Sequence, residues 1–390
     1  MDKKTPDFLK IQSLIDLFSI LDTEECSMLR IVGGAVRNCL MGLPITDIDL
    51  ATVWTPEDVT QKCRQAGLKV IPTGVDHGTV TVISGGDSYE ITTLRKDVET
   101  DGRRAVVTFT HLWEEDAVRR DFTVNALYMG LDGEVFDPLE TGVNDIMVRA
   151  IRFIGDGSTR IKEDALRILR FYRFYAQYGV GDLNARSVQA CREHVELLQT
   201  LSKERVTEEL LKICSVDNPV DIFEIMRDNN VFSTLNNFIP NLNLLIHIVP
   251  LQKQYDIRNV LSILFCVLGC AAQDMASFLA LSKKQKSFLI GLEKGCADKT
   301  LPLKQVLYKY GYDLGLQILL LKHESEEDIS FAKTWDIPLF PIKGQDLLDC
   351  GVKVGPEVGV RLMEVEQWWV DLDFQPNRET CLAQVKVKSI

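Results

Sequence analysis

The sequence predicts an α+β chain: an N-terminal head built on a mixed β-sheet, followed by a neck, body and tail made only of helices. Three observations carry this expectation. Between residue 29 and about residue 137, apolar and β-branched runs of strand length recur, at Leu29–Val32, 46–53, 79–83, 88–94 and 106–110, with two helices interrupting them. Beyond Ile151 such runs stop, and helical patterns punctuated by Pro219, Pro240, Pro250, Pro302 and Pro338 continue almost to the end. Ahead of the strands, Phe8, Ile11, Leu14, Ile15, Phe18 and Leu21 recur at helical spacing, which predicts a helix packed on the head. The divisions expected are 1–150 for the head, 151–215 for the neck, 216–300 for the body and 301–390 for the tail. No internal repeat or low-complexity segment stands out.

Taken in order, the first strand ends in a glycine pair. Residues 29–32 read as a short buried strand, Gly33 and Gly34 as a tight turn free of Cβ crowding, and 35–41 as a helix whose first N–H groups have no partner. Such a turn is a phosphate cradle, and Arg37 in the first helical turn adds a fixed positive charge to it. The second strand carries Asp47 and Asp49. In extended chain these two point to one side while Ile48 and Leu50 point to the core, roughly 7 Å apart at Cα. Two carboxylates so placed can share a pair of Mg²⁺ ions held about 3.5–4 Å apart, one activating an attacking hydroxyl and the other neutralising a departing pyrophosphate. A Gly-Gly turn alone is usually only a turn, and an Asp-x-Asp alone is often a solvated strand end. In this order and at this separation they read as a nucleotidyl-transfer site.

Composition bounds the remainder. A chain of 390 residues with 46% hydrophobic residues is long enough for two to four structural units with cores of their own. No apolar stretch reaches the roughly 18 residues needed to span a bilayer, and 260–272 reads as a buried helix, so no membrane partner is expected. The N-terminus has neither a secretory apolar core nor an Arg-rich, acid-poor transit composition; a longer precursor with an organellar address stays open. The ten cysteines lack any C-x-x-C pair, which argues against zinc and against a disulfide framework. Cys266 and Cys270 read as core residues, and His77 as a turn or strand-cap histidine. Net charge is −12, so attraction for RNA must be local. One basic stripe stands out, in which Arg149, Arg152, Arg160, Lys162, Arg167, Arg170 and Arg173 outnumber Asp156, Glu163 and Asp164.

The motifs GGAVR…DIDL, EITTLR at 90–95, RRDFTVNAL at 119–127 and EDALRILRFYRF at 163–174 resemble, in matching order, the class II tRNA nucleotidyltransferases. These are the CCA-adding enzymes of the polymerase-beta-like superfamily. The similarity covers the first 180 or so residues, and the helical remainder fits the family's shape without diagnostic motifs. One departure is Asn38, where the family usually has Asp. The resemblance implies template-independent addition of C, C and A to the 3′ end of tRNA from CTP and ATP, with release of pyrophosphate and two Mg²⁺ ions. Partners would be the tRNA acceptor stem and 3′ end, with monomer and homodimer both open. The place of action would be cytoplasmic, with a mitochondrial or nuclear form if a longer precursor exists. A bacterial-type poly(A) polymerase, which shares the head, is the alternative within enzymes. A catalytically silent RNA-binding relative is the alternative outside them.

Residue by residue, the resemblance implies that Glu90 is a third carboxylate beside Asp47 and Asp49, a general base or a further acidic group near the metals. Arg120 would hold phosphate, and Asp121 and Asn125 would reach the ribose hydroxyls. Within a helix over 163–173, Glu163, Arg167 and Arg170 fall within about 60° of one another with Asp164 flanking them. In the family this position reads the base. Asp164 would accept from the exocyclic amine of C or A while Arg167 donates to C N3 or A N1, a pattern that U and G reverse. Arg170 and Arg173 lie farther along and are assigned to phosphates or the tRNA end. Ion pairs of Glu163 and of Asp164 with Arg167 are compatible with these roles. Finally, 96–105 reads as a long mobile polar loop beside the catalytic strands, which in the family helps one pocket change from C to A.

Overall fold

The computed structural model describes residues 6–22, 27–101 and 104–387. These fall into two compact units, Met1–Phe238 and Ile239–Ile390. The first opens with a 3₁₀ turn, Asp7–Lys10, and α1 (Gln12–Leu21), whose Leu14, Leu17, Phe18 and Leu21 are buried. It then builds a seven-stranded mixed sheet. The strands are β1 (Leu29–Val32), β2 (Asp49–Thr52), β3 (Lys69–Gly74), β4 (Thr79–Ser84), β5 (Asp87–Thr93), β8 (Tyr128–Met129) and β9 (Val135–Phe136). Their spatial order is β3-β4-β5-β2-β1-β8-β9. Neighbours are antiparallel except β2 and β5, which run parallel, Leu50 facing Ile91 and Thr52 facing Thr93. The crossover between them contains α3 (Pro56–Gln65), started by Thr55, whose hydroxyl accepts from the Asp58 N–H at 3.2 Å, with Pro56 in the first turn.

β2 lies at the sheet's centre, and its Leu50, Ala51 and Thr52 are fully buried, as strands covered on both faces require. Asp49 is where this strand leaves the core. Val32, Ala51, Val53 and Leu94 pack with Trp113 and Ala117 of α4 (Trp113–Val118), with Tyr128 of β8 and with Ile154. Burying apolar side chains of this size contributes about 1.5–3 kcal/mol each, enough to fix the short α4 on the sheet.

Three local expectations are corrected. The strand expected over 46–53 begins only at Asp49, because Pro44 precedes the site and Asn38 Nδ2 holds the Pro44 carbonyl at 2.8 Å, carrying the chain in as a loop. The segment 96–105 is not a loop. It lies within a two-stranded antiparallel sheet of β6 (Arg95–Asp101) and β7 (Arg104–Phe109), with Arg95 facing Phe109 and Asp101 facing Arg104. Val98, Thr100, Val106, Val107 and Thr108 are β-branched, and that preference outweighs the polar composition; residues 102 and 103 at its turn lie outside the described residues. The helix expected over 163–173 is two helices, α6 (Gly157–Glu163) and α7 (Leu166–Tyr178), after α5 (Gly142–Met147). Asp164 between them is extended, with φ −154° and ψ 103°. Its carboxylate accepts from the Leu166 N–H at 3.1 Å, the competition with helix that Asp offers inside a helical run.

The rest of the first unit is helical: α8 (Ala185–Glu193), α9 (Lys203–Cys214), α10 (Val220–Asp228) and α11 (Val231–Asn236). The second unit is helical throughout its described residues, α12 to α20, from Leu242–Gln254 to Arg378–Val387. Its own interior includes Leu347, Val365, Trp369 and Cys381, and a buried amide network in which Gln252 and Ser262 donate to Gln317 at 2.7 and 2.9 Å. Among the described residues, no single helix is long and apolar enough to cross a membrane.

Candidate active site

The glycine turn between β1 and α2 (Gly34–Met41) is shaped as expected. Gly33 has φ +68° and donates its N–H to the Leu127 carbonyl at 3.1 Å, a conformation that disfavours side chains. A Cβ on Gly33 would stand 3.8 Å from Arg120 Nη1, and one on Gly34 3.8 Å from Arg37 Nη2. Two guanidinium groups therefore flank a helix N-terminus, an anion-binding arrangement. Arg37 is only 7% exposed and most of its donors are taken: Nη1 donates to Asn125 Oδ1 at 2.6 Å, Nε and Nη2 to Asn38 Oδ1 at 3.1 and 2.9 Å, and Nη2 also to the Tyr178 hydroxyl at 2.9 Å. Every one of those acceptors is neutral. Burial lowers its pKa, while Tyr178 and Asp121 favour the charge. Asn38 thus keeps the acceptor that a carboxylate would offer and uses its amide to hold Pro44.

Next to the cradle lie the acidic residues. Asp47, Asp49 and Glu90 are all exposed. Extending the parallel register by one residue sets Asp49 beside Glu90. Desolvation first, then the charges of Glu90 and Asp47, raise the Asp49 pKa above the ordinary carboxylate value, with Arg120 opposing. Asp47, just ahead of the strand, accepts from Thr46 Oγ1 at 3.1 Å. Among the described residues no three His, Cys, Asp or Glu side chains converge tightly enough to form a complete metal cage. An all-oxygen set of one or two carboxylates still fits magnesium, which completes its shell with water and substrate phosphate oxygens.

The opposite wall is a chain of charged side chains. Asp121, 9% exposed, accepts from Arg170 Nε at 2.8 Å and from a second Arg170 nitrogen, from Asn125 Nδ2 at 3.0 Å and from the Phe122 N–H at 2.8 Å. Burial opposes its charge, but Arg170 and Asn125 outweigh it and lower the pKa. Arg167 Nη1 meets Glu163 Oε2 at 2.6 Å, and its Nη2 donates to the Arg119 carbonyl at 3.1 Å. Of the two ion pairs with Arg167 compatible with the expected roles, that of Glu163 forms and Asp164 pairs elsewhere. Because the chain is extended there, its Oδ2 accepts from Arg205 Nη2 of α9 at 2.7 Å. Arg173, assigned from sequence to phosphates or the tRNA end, is 8% exposed here, and its Nε meets the buried carboxylate of Glu209 at 2.5 Å. Much of the basic stripe is likewise paired internally, as Arg160 and Arg167 on Glu163 and Arg170 on Asp121.

Most of these groups open on one cleft of about 390 Å³, whose lining includes Gly33, Gly34, Asp49, Arg120, Asp121, Asn125, Asp164, Arg167 and Arg170. That volume suits a nucleotide. Asp47, Glu90, Glu163 and Arg173 are not among its lining side chains. Sequence reasoning missed Asp116 and Arg205. The first had a signal, standing three and four residues ahead of Arg119 and Arg120 in a helix; the second had none.

A mixed sheet with a glycine cradle, strand carboxylates and an arginine-lined cleft defines a nucleotidyltransferase head. The family model for the poly A polymerase head domain matches residues 29–152, and that for a probable RNA and SrmB-binding site of polymerase A matches 182–245. The chain is 32% identical to human mitochondrial CCA tRNA nucleotidyltransferase 1, over 99% of this chain and 93% of that protein. It is 36% identical to the CCA-adding enzyme of Lactobacillus helveticus, over 92% and 94%. The crystal structure of the Bacillus stearothermophilus CCA-adding enzyme in complex with CTP superposes with a TM-score of 0.79, at 26% identity over 97% of both chains. The chain belongs to the CCA-adding tRNA nucleotidyltransferases.

Proposed function

We propose that this enzyme adds C, C and A to the 3′ end of tRNA from CTP and ATP without a nucleic-acid template. The observation that carries the reading is one cleft whose lining brings the carboxylate of Asp49 together with an acceptor, Asp164, and a donor, Arg167. The triphosphate would lie along the Gly33–Gly34 turn and Arg120, where the start of α2 and the guanidinium suit phosphate oxygens. Asp121 and Asn125 would meet the ribose. Asp47 and Asp49 would hold magnesium, two ions being expected, and the metal supplies Lewis acidity toward the attacking hydroxyl and the leaving pyrophosphate. Glu90 beside them would take the proton of the tRNA 3′-hydroxyl.

Base choice follows from which lone pairs and hydrogens remain. Arg205 takes one Asp164 oxygen and the Leu166 N–H the other, yet each carboxylate oxygen has a second lone pair for an exocyclic amine. Arg167 keeps donors beyond those given to Glu163 and the Arg160 and Arg119 carbonyls. U and G would set a carbonyl against Asp164 and an N–H against Arg167. The division of labour we propose has the head at 1–150, the neck with its selecting helix at 151–215, and the body and tail at 216–300 and 301–390 holding the tRNA. A mitochondrial as well as a cytoplasmic place of action is part of the proposal, following the human relative's name. Incubation with tRNA lacking its 3′ end and each nucleotide separately tests it: C is expected from CTP, and A only onto a CC end. Long A tails from ATP alone would favour a poly(A) polymerase, and no metal-dependent incorporation would leave an RNA-binding relative.

A further inference from the structure

α4 is six residues long, yet three other parts of the molecule are fastened to it. Asp116, 1% exposed, is the fastening point. Its Oδ1 meets Arg119 Nε at 2.8 Å and Nη2 at 2.7 Å, and its Oδ2 meets Arg120 Nε at 3.1 Å and Nη2 at 2.8 Å. The Tyr128 hydroxyl donates to Oδ2 at 2.7 Å, and the Arg95 N–H, at the root of the β6–β7 hairpin, lies 3.4 Å from Oδ1. Two adjacent arginines would otherwise repel and splay. Here one carboxylate takes two nitrogens from each, which leaves Arg120 Nη1 as the nitrogen aimed at the Gly33 turn.

The same helix is held at both ends. Glu115 takes Lys96 Nζ at 3.2 Å and the Thr110 hydroxyl, one from each hairpin strand or its flank. At the other end the Val118 and Arg119 carbonyls accept from Arg160 Nη1 and Arg167 Nη2, each at 3.1 Å, and Glu163 grips both of those arginines. We infer that Asp116 is a positioning residue: it sets Arg119 and Arg120 in the cleft and, through the Arg119 carbonyl, ties the base-facing Arg167 to the hairpin root. Burial disfavours its charge, but Arg120 and Arg119 hold the carboxyl well below the usual carboxylate range, so the clamp stays ionised.

This inference rests on the cleft binding nucleotide, and the test separates it from the transfer reaction. Equilibrium titration of CTP and ATP into the full chain without tRNA is compared with initial-rate kinetics on tRNA. Asp116→Asn keeps the shape and removes the charge. Its Kd and KM for both nucleotides are expected to rise by about tenfold or more, with a raised share of U incorporated against C. Tyr128→Phe should move the same constants less. A folded Asp116→Asn with wild-type Kd, KM and C-over-U preference, changed only in Tm, overturns the inference. Should that variant not fold, amide exchange on the unmutated protein decides: CTP is expected to protect α4 and residues 95–96 together with 160–167, and protection confined to the glycine turn overturns it. A protein that binds CTP but extends no tRNA would sink the transfer reading and leave this one standing.

Discussion

The surroundings of Asp49 disfavour its charge, through desolvation first and then Glu90 and Asp47, and the sign of that effect is testable. Its folded pKa is raised, so its favourable contribution to stability is complete below the unfolded carboxylate value and is lost as pH rises through the folded one. At neutral pH the ionised group is therefore a cost to the fold. Asp49→Asn should melt no lower than the parent at pH 7, with any advantage gone near about pH 4, while incorporation of both C and A falls by on the order of a thousandfold or more. Asp47→Ala should show the same loss of turnover. Normal turnover in either variant would remove the metal assignment. Base choice separates from chemistry at Asp164. Asp164→Ala is expected to admit UTP or GTP at the expense of about 1–3 kcal/mol of discrimination per lost hydrogen-bonded edge, measured by competition between nucleotides. Uniform slowing of all four would confine Asp164 to the corner between α6 and α7. Gly33, Asp47 and Asp49 were legible because turn and strand chemistry are local. Arg205 and Glu209 reach their partners from 41 and 36 residues away, and no spacing rule announces such a meeting.

At the scale of elements, the sheet and the helical remainder follow from period and punctuation, while boundaries yield to side-chain competition. Asp164 broke a helix that periodicity alone would continue. β8 and β9, two residues each, are too short for any pattern; β8 forms on the edge that β1 offers and β9 on the edge of β8. Most of β7 falls in the strand expected over 106–110, while 96–105 reads as a loop because its charges hide Val98 and Thr100. Its root is bonded to α4 through Lys96, Thr110 and Arg95, so movement of the hairpin acts on the arginines that line the cleft. Removing cross-strand pairs from within 97–104, so that the ladder stays in register, is therefore expected to spare CTP addition and impair the final AMP. Products separated by length would show chains ending in CC. Completion of CCA at the normal rate would reject the idea.

For the whole molecule, the net charge is −12, and the basic stripe spends Arg160, Arg167, Arg170 and Arg173 on carboxylates within the fold, which leaves that stripe few cations for a phosphate backbone. Raising salt from about 50 to 200 mM should weaken tRNA binding by less than the roughly thousandfold seen when six or more phosphates are neutralised. A steeper dependence, read by filter binding, would require a basic surface not identified among these arginines. The shortness of α4 has a further consequence, in the order of synthesis. A six-residue helix does not hold itself in water, and its terminal carbonyls are closed by Arg160 and Arg167. A nascent chain that has left the ribosome only as far as Ile151 already contains the glycine turn, the aspartates and Arg120. It still lacks the two side chains that finish the helix carrying Asp116. Nucleotide recognition is therefore expected late in translation, and a truncated chain ending at Ile151 should bind CTP more weakly than the full chain in an equilibrium titration.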